Sequence, residues 1–540
     1  MKLSYLIKNC SPVWNRIILP SNQDEHNHLL GSIDEHNKQD HYHHQTGDPE
    51  ITSIHANASE VKAGGLFIAI KGFKADGHDF IDKALANGAV AVITEQKIAR
   101  KEGANLAHCP IFVEVQDSRK AMSSIAARFY GNPSDSMVLI GITGTNGKTT
   151  TAFLIESILK SAGYKTGVIG TVNYRYNNQV FENPVTTPES IDLHKILALM
   201  RDAGVTHVVM EVSSHAIDLH RVRDCEFDVG VFTNLTQDHL DYHKTMSAYF
   251  SCKKRFFTKQ LKRGKKAQKS VAVINVNDEY GQTLAQDFSK DVKDKDVSLN
   301  LITVGFQSNN SDIFCSNIKD DISGLKGNLH IGSEIGAKIG SKIGAEIGSV
   351  HLIDFKSKLT GNFNLENILC AVGAAHAIGI SFEAIKNGVE SCEGVPGRLE
   401  RVQSFDQLEQ FDLLDQLNQF NQLKRDDFDR YAFVDYAHTP DALESILKTL
   451  KMRAPARLIS IFGCGGDRDK TKRPIMGKIA YSYSDIAIIT SDNPRSENPD
   501  AIIEDIVAGI KYKSVSSKKI VVEPDRAKAI EIAVTLSEPN

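Results

Sequence analysis

Gly141-Ile142-Thr143-Gly144-Thr145-Asn146-Gly147-Lys148-Thr149-Thr150 follows the apolar run Met137 to Ile140 directly, and its reading decides the fold. The order is a short buried strand, a glycine-rich turn, and a helix that opens at Thr149 or Thr150. Such a turn aims backbone N–H groups and a helix N-terminus at one point, where a phosphate can sit. Lys148 adds a mobile cation for the outer phosphates, and the Thr149 hydroxyl can ligate Mg²⁺. The spacing departs from the general Walker pattern, because position 142, where a glycine would stand, is Ile142. The plainer alternative, a glycine turn with a surface lysine, leaves the preceding strand and Thr149-Thr150 without a purpose. The stretch predicts a nucleoside-triphosphate site.

Working outward, 540 residues suit three to four domains at about 150 residues each, every one long enough to bury a core. Lys plus Arg is 63 against 67 acidic residues, a net of −4, which is no electrostatic footprint for nucleic acid or an anionic membrane. No apolar run reaches the roughly 18 residues of a spanning helix, and the N-terminus lacks a signal-peptide core. Eight cysteines stand singly, so neither a disulfide framework nor a zinc site is indicated. These features lead to the expectation of a cytoplasmic enzyme that neither binds nucleic acid nor inserts in a membrane.

The pattern divides the chain into three α/β blocks. Residues 1–136 contain two short β runs, 65–72 and 89–93, with an amphipathic stretch from Phe80 to Asn87 between them. Residues 137–397 alternate strands at 137–143, 166–172, 206–212, 229–234 and 271–276 with helical stretches, which predicts a mostly parallel sheet covered on both faces. Ligands in such sheets gather at the carboxyl ends of the strands, where Lys148, Glu211, Asp238 and His239 fall. Residues 398–540, with strands at 431–435, 457–462 and 485–490, read as a smaller Rossmann-like domain. Three tracts interrupt the blocks. Residues 22–46 hold six histidines and two copies of Asp-Glu-His-Asn, and read as a disordered insertion rather than a metal site. Residues 331–349 repeat Ile-Gly every four positions and read as a loop expansion. Residues 405–423 place Phe or Leu at every third position, a period that drifts around a helix, and read as an insertion or a partner-binding helix.

Six motifs in this order resemble the Mur ligase family of ATP-dependent amide-bond ligases. They are Gly141 to Thr150, Glu211-Val212-Ser213-Ser214-His215, Asn234-Leu235-Thr236-Gln237-Asp238-His239-Leu240-Asp241-Tyr242-His243, Gly361-Asn362-Phe363-Asn364, Pro396-Gly397-Arg398-Leu399-Glu400 and Asp435-Tyr436-Ala437-His438-Thr439-Pro440. Gly463-Cys464-Gly465-Gly466-Asp467-Arg468-Asp469 and Asp492-Asn493-Pro494-Arg495 narrow the likeness to members that extend UDP-N-acetylmuramoyl-L-alanyl-D-glutamate by meso-diaminopimelate. The resemblance implies an N-terminal UDP-muramoyl substrate domain, a central ATP-binding domain and a C-terminal amino-acid-binding domain. It implies ATP and Mg²⁺ as cofactors, an acyl-phosphate route, a monomer, and a place in peptidoglycan precursor synthesis, cell-wall growth and division.

Residue by residue, the resemblance places ATP at Gly144, Thr145, Asn146, Gly147, Lys148, Thr149, Thr150, Asn364, Arg398, Asp435 and His438. It places Mg²⁺ at Thr149, Glu211, His239 and Lys253, with Lys253 carbamylated, and names Lys148, Lys253, Glu211 and His239 as catalytic. Read alone, Lys253-Lys254-Arg255 is a solvated basic turn, and His438 a structural histidine at a helix start. The muramyl ligand falls to Thr186, Thr187, Ser213 and Arg221, which alone would be a turn and a surface salt bridge, and to Ser59, where Asn57-Ala58-Ser59 replaces the family's Asp-Ser-Arg. Arg468, Asp492, Asn493, Pro494 and Arg495 match the diaminopimelate-adding members, although Asp-Asn-Pro-Arg alone is a turn after a strand. Diaminopimelate carries an extra carboxylate that an arginine can pair with, whereas lysine would face Arg495 with an ammonium. The family continues past the Val521-Val522-Glu523 region to a Gly-Lys-Gly-His-Glu segment, and a chain ending at Asn540 is expected to have an incomplete third domain and little activity; Gln237 stands where arginine is usual. Competing readings are a folylpolyglutamate synthetase, a lysine-adding ligase, a P-loop motor, or a non-catalytic scaffold that binds ATP without substrate-dependent phosphate release.

Overall fold

The computed structural model describes residues 1–7, 14–18, 48–72, 75–96, 110–291, 300–306, 311–321, 324–332, 350–402, 431–453, 457–510 and 519–537. The tracts 22–46 and 405–423, and all of the Ile-Gly tract beyond Gly332, lie outside the described residues. The first Ile-Gly copy is not part of a loop: Ile331 is buried and closes the strand Gly324–Gly332, paired with Val350–Ser357.

The chain forms two compact units. The first comprises Met1–Val138, Asn183–Thr206 and Val212–Glu226. Its five-stranded sheet runs in the order Trp14–Ile18, Ile111–Val115, Ala89–Thr94, Gly65–Ile68, Ser53–His55. All neighbours are parallel except Trp14–Ile18 against Ile111–Val115. The expected β run at 89–93 is a strand, that at 65–72 is one only over Gly65–Ile68, and the stretch between them ends in the helix Ile81–Ala86. Leu66, Ile68, Ala91, Ile93 and Val113 form the core against Met122 and Ile125 of the helix Ser118–Phe129.

Helix Ser190–Asp202 of this unit buries His194 completely, with no partner for either ring nitrogen. Burial pushes its pKa down from 6.5 to about 4, against a weaker pull from Asp224. The folded state therefore keeps His194 neutral while the unfolded chain takes a proton, so stability is lost as pH falls from 6.5 toward about 4, by up to roughly 3 kcal/mol. His194→Leu is expected to flatten this acid limb in melting temperatures taken between pH 7 and pH 4.5. An unchanged pH slope in the variant would show that the acid limb originates elsewhere.

The second unit comprises Leu139–Glu182, His207–Glu211 and Phe227–Asn540. Its parallel centre is the run Asn300–Gly305, Val271–Asn275, Val229–Phe232, Val138–Thr143, His207–Glu211, Thr166–Ile169. These are the five expected strands plus one, and nearly all their side chains are buried, as a sheet covered on both faces requires. Ile313–Asp321 joins in parallel beside Asn300–Gly305 and pairs antiparallel with Gly324–Gly332, followed by Val350–Ser357, while Tyr174–Tyr176 and Gln179–Phe181 add antiparallel strands on the other side, eleven in all. Gly141 keeps the central strand free of a side chain, because a Cβ there would lie 2.6 Å from the rings of Phe227 and Phe256.

The same unit contains a three-stranded parallel sheet, Ile459–Phe462, Ile486–Ile489 and Lys519–Val522. Helices Pro440–Arg453, Lys472–Tyr483, Pro499–Val507 and Arg526–Leu536 accompany it, the expected Rossmann-like pattern. One expectation fails. Residues 431–435 do not join this sheet: only Phe433–Val434 is extended, and it pairs antiparallel with Glu400–Arg401 in a ladder of its own. Backbone hydrogen bonding there continues this ladder rather than reaching a neighbouring parallel strand, with Tyr436 N donating to Gly397 O at 2.8 Å and Val402 N to Ala432 O at 3.0 Å.

Candidate active site

The strand Val138–Thr143 ends at a loop that leads into the helix Lys148–Ser161. Gly147 occupies the N-cap position with φ 83°, a conformation that favours glycine. Its missing side chain also leaves room for Asn367 Oδ1, which a Cβ would strike, and a Cβ on Gly144 would strike Thr233 Oγ1. The loop is pinned from behind by the segment after the strand Val229–Phe232. Thr145 N donates to Asn234 O at 2.9 Å, Asn146 N to Asn234 Oδ1 at 2.9 Å, and Thr233 Oγ1 to Asn146 O at 2.6 Å. Lys148 curls over its own loop, its Nζ donating to Gly144 O at 2.9 Å and Thr145 O at 2.8 Å. Thr149 and Thr150 are buried in the first helical turn.

Glu211, at the end of the strand His207–Glu211, is buried and accepts the Thr149 hydroxyl at 3.0 Å. Thr171 grips the same carboxylate, its N–H on Oε1 at 2.9 Å and its hydroxyl on Oε2 at 3.0 Å. Two oxygens from Thr149 and Glu211 therefore converge, and this donor set fits Mg²⁺, which takes oxygen ligands and few protein carboxylates. Among the described residues no group of three or more His, Cys, Asp or Glu could hold a metal.

Lys253 lies on the helix Met246–Arg255 and is buried, not part of a solvated turn. Its Nζ donates to Gly144 O at 2.8 Å, the carbonyl that also accepts Lys148, and lies 4.8 Å from the Tyr249 ring centroid. Burial pulls the Lys253 amine well below its ordinary value, and the Lys148 charge adds to that. His239, with φ 54°, meets the Tyr249 ring edge-on at 6.1 Å between centroids and sits 3.4 Å from Asp238 Oδ2. Burial also lowers Lys148, while Glu211 and Asp238 pull it back up.

Asn364 is buried on the helix Asn362–Ala377, where its Oδ1 accepts Asn367 Nδ2 at 3.2 Å. Arg398 stacks over Tyr436 at 5.0 Å and lies within electrostatic reach of Lys148. Asp435 already holds backbone, its two oxygens accepting Leu399 N at 2.6 Å and Ala437 N at 2.7 Å. Burial raises its pKa above the ordinary value, against those hydrogen bonds and Arg398. His438 is exposed, just before the helix Pro440–Arg453, and within electrostatic reach of Asp238 and Arg398. The nucleotide candidates from the central and third blocks thus share one electrostatic neighbourhood.

The expected amino-acid residues lie on two loops at the carboxyl ends of Ile459–Phe462 and Ile486–Ile489. Gly466 N donates to Asn493 O at 2.8 Å, and Arg495, at φ 50°, places its guanidinium on Gly466 O. Arg468 and Asp492 are exposed, and Pro494 is partly buried. A cluster beneath the loops was not foreseen: buried Arg473 forks onto Glu497 at 3.0 and 2.8 Å and reaches Asp505 at 2.9 Å. That guanidinium holds the Glu497 carboxyl down at about 2.

The muramyl candidates belong to the first unit. Ser213 caps the helix Ser214–Asp218 and accepts Thr187 Oγ1 at 3.4 Å, with Thr186 alongside and partly buried. Arg221 donates to Thr187 O at 2.9 Å and pairs with Glu189 at 2.7 Å, leaving its buried Nε without a partner. Arg119 shares that carboxylate at 3.4 Å. Ser59 is exposed in the turn Ala58–Glu60, where Lys83 Nζ donates to its hydroxyl at 2.8 Å. Thr171, Asn367 and Tyr249 went unnoticed in the sequence, and each supports a residue that was seen.

The fold and this cluster define a class: an α/β protein whose glycine-rich phosphate loop opens beside a carboxylate–hydroxyl pair suited to Mg²⁺. Known proteins make the class specific. The Mur ligase middle domain matches residues 142–375, the Mur ligase glutamate ligase domain residues 421–540, and the Mur ligase family catalytic domain residues 50–130. The UDP-N-acetylmuramoyl-L-alanyl-D-glutamate–2,6-diaminopimelate ligase of Geobacter metallireducens is 40% identical over 503 residues, 91% of this chain and 88% of that one. The ligase 1 of that name from Clostridium acetobutylicum is 41% identical over 491 residues, 91% and 88% of the two chains. A solved structure of a UDP-N-acetylmuramoyl-L-alanyl-D-glutamate–2,6-diaminopimelate ligase superimposes with TM-score 0.62 at 29% identity, covering 92% of this chain and 90% of that one. The chain belongs to the Mur ligase family. Among the described residues, no helix is long and apolar enough to cross a membrane.

Proposed function

We propose that this chain is an ATP-dependent ligase that joins meso-diaminopimelate to the D-Glu γ-carboxylate of UDP-N-acetylmuramoyl-L-alanyl-D-glutamate. The observation that carries the reading is the meeting of Lys148, Lys253, Thr149 and Glu211 at the phosphate loop, in a chain 40% identical over 91% of its length to a relative bearing that name. The reading includes the division 1–136, 137–397 and 398–540, action as a monomer in the cytoplasm, and supply of peptidoglycan precursor for cell shape and division.

A carboxylate is a poor electrophile, so the reaction begins when its oxygen attacks the γ-phosphorus of ATP and ADP leaves. The diaminopimelate amine then attacks the acyl carbon, loses a proton, and inorganic phosphate departs with the carboxylate oxygen. Loop N–H groups from Gly144 to Thr150 and the Lys148 ammonium hold the phosphates in line and offset their charge. Thr149 and Glu211 would hold one Mg²⁺, and His239 with a carbamylated Lys253 a second. Mg²⁺ bound there neutralises phosphate charge. Asn364, Arg398, Asp435 and His438 serve the nucleoside, with Asp435 acting partly through the backbone it ties. In this reading Thr186, Thr187, Ser213, Arg221 and Ser59 receive the anionic muramyl ligand.

For the incoming amino acid, Arg468, Asp492, Asn493, Pro494 and Arg495 form the pocket. Arg495→Ala is expected to raise the KM for diaminopimelate by about 10- to 100-fold with a small change in kcat, the loss of one charged hydrogen-bonded pair. An unchanged KM would remove Arg495 from the pocket.

The deciding experiment is phosphate release with ATP, Mg²⁺ and the UDP-muramoyl dipeptide, comparing meso-diaminopimelate with L-lysine. Release that requires diaminopimelate supports the proposal. Equal release with lysine overturns the choice of amino acid, and silence with both, in this chain and in one extended past Asn540 by a Gly-Lys-Gly-His-Glu segment, overturns the ligase reading.

A further inference from the structure

Asp320 lies at the end of the strand Ile313–Asp321 and Arg453 is the last residue of the helix Pro440–Arg453. Their side chains, 12% and 10% exposed, meet across 133 residues of chain. Arg453 Nε donates to Asp320 Oδ1 at 2.9 Å, and its Nη2 makes an ion-pair contact with Oδ2, so the contact is an ion pair held by one hydrogen bond. The third nitrogen, Nη1, donates to Thr449 O at 2.6 Å, one turn back in its own helix. Asp320 Oδ1 also accepts Thr360 Oγ1 at 2.9 Å and Gly361 N at 3.2 Å. One carboxylate therefore ties three segments together: the antiparallel wing of the sheet, the turn that opens Asn362–Ala377, and the last turn of Pro440–Arg453.

The first helix carries the nucleotide candidate Asn364 in its first turn, and the second begins just after Asp435 and His438. Asn362–Ala377 carries Asn364 and Asn367, the latter set against Gly147 of the phosphate loop. Pro440–Arg453, 14 residues and so about 20 Å long, follows directly on Asp435 and His438. Between the helices, Phe363 packs against the core of Leu443, Leu447 and Leu450. A Cβ on Gly361 would lie 2.8 Å from Phe363 and 3.0 Å from Thr449, so the helices approach closely at a glycine. An apolar contact of that kind permits sliding and rotation. A buried, hydrogen-bonded ion pair does not, because its Nε–H···Oδ1 bond is directional while its desolvation cost offsets most of any gain in stability.

We infer that Asp320 and Arg453 are positioning residues, a clasp that fixes the register between the helices Asn362–Ala377 and Pro440–Arg453 so that Asn364, Asn367, Asp435 and His438 face the phosphate loop together. The inference rests on the proposed nucleotide site and goes beyond it by naming what aligns its two halves.

The test uses the full chain and two readouts: calorimetric binding of a non-hydrolysable ATP analogue with Mg²⁺, and phosphate-release kinetics. Arg453→Ala and Asp320→Ala are each expected to weaken analogue binding and raise the ATP KM by about 10-fold. The double alanine variant should be no weaker than either single one, because both remove the same contact. Arg453→Lys, which keeps the charge but cannot make both the bond to Asp320 Oδ1 and that to Thr449 O, should recover only part of the affinity. Lower melting temperatures with wild-type analogue binding would overturn the inference, as would losses that multiply in the double variant. If the alanine variants do not fold, Asp320→Asn and Arg453→Lys carry the test under the same criteria. A wild-type chain that binds the analogue but releases no phosphate would count against the ligase reading alone, and loss of binding in the variants would still establish the clasp.

Discussion

Lys148→Ala is expected to leave ATP-dependent phosphate release about 10²–10³-fold below that of the unaltered chain, with analogue binding weakened far less. The asymmetry follows from where charge develops. In the transferring γ-phosphoryl group, charge moves onto oxygens that one mobile cation can follow, and removing such a preorganised group costs roughly 10²–10³-fold in turnover. Lys148 suits that role because it is held at the loop without being neutralised there. Its ammonium rests on two carbonyls of its own loop, at 2.9 and 2.8 Å, and a phosphate oxygen is a better partner than either. Burial works against its charge, but Glu211 and Asp238 sustain it. Lys148→Arg should not rescue, since a planar fork cannot fold back within a loop whose glycines leave no spare room: a Cβ on Gly144 or Gly147 already meets Thr233 or Asn367. Measured kcat and KM for ATP decide the matter. Near-normal kcat in Lys148→Ala would show that the phosphate site lies elsewhere.

The parts of this molecule that a reader of the sequence could see are those coded locally. The phosphate loop is ten contiguous residues whose glycines and hydroxyls have one arrangement in common, and the parallel strands are apolar runs bounded by turn residues. Thr171 is different. It holds Glu211 from 40 residues away, and nothing at position 171 distinguishes it from any other threonine after a strand. Asn367 likewise matters because Gly147 is bare, a relation of two distant positions. The stretch 431–435 was misread for the same reason. Its composition suits a strand, but whether a strand joins a sheet depends on a partner, and here the partner is Glu400–Arg401. Lys253 could have been read correctly. Tyr249, Cys252, Lys253 and Phe256 follow the three- and four-residue spacing of one helical face, and all four are buried, whereas the run Lys253-Lys254-Arg255 seen as a block suggests solvent.

The second large effect is expected at Lys253. As an unmodified amine it is poorly placed, since its Nζ and that of Lys148 both donate to Gly144 O, at 2.8 and 2.9 Å, and two ammoniums so close repel. Burial pulls Lys253 well below its ordinary value, so the neutral amine with its free lone pair is more accessible than in an exposed lysine. That form can attack carbon dioxide: an N–C bond forms, one proton is released, and the product is a carbamate anion. The change inverts the local electrostatics, turning repulsion from Lys148 into attraction and adding two oxygens where Mg²⁺ would be held. Lys253→Ala is therefore expected to lower kcat by about 10²-fold or more. Lys253→Arg should be equally poor, because arginine keeps a positive charge and forms no carbamate at neutral pH. Lys253→Glu, which restores an anion on a shorter side chain, should recover part of the activity. The modification itself should appear in the full chain as a ¹³C resonance after incubation with labelled bicarbonate, and be absent from Lys253→Ala. The opposite pattern is equally definite: if Lys253→Arg turns over normally and carbon dioxide depletion leaves the rate unchanged, Lys253 acts as a buried cation that supports Gly144, and the second Mg²⁺ must find its oxygens from other residues.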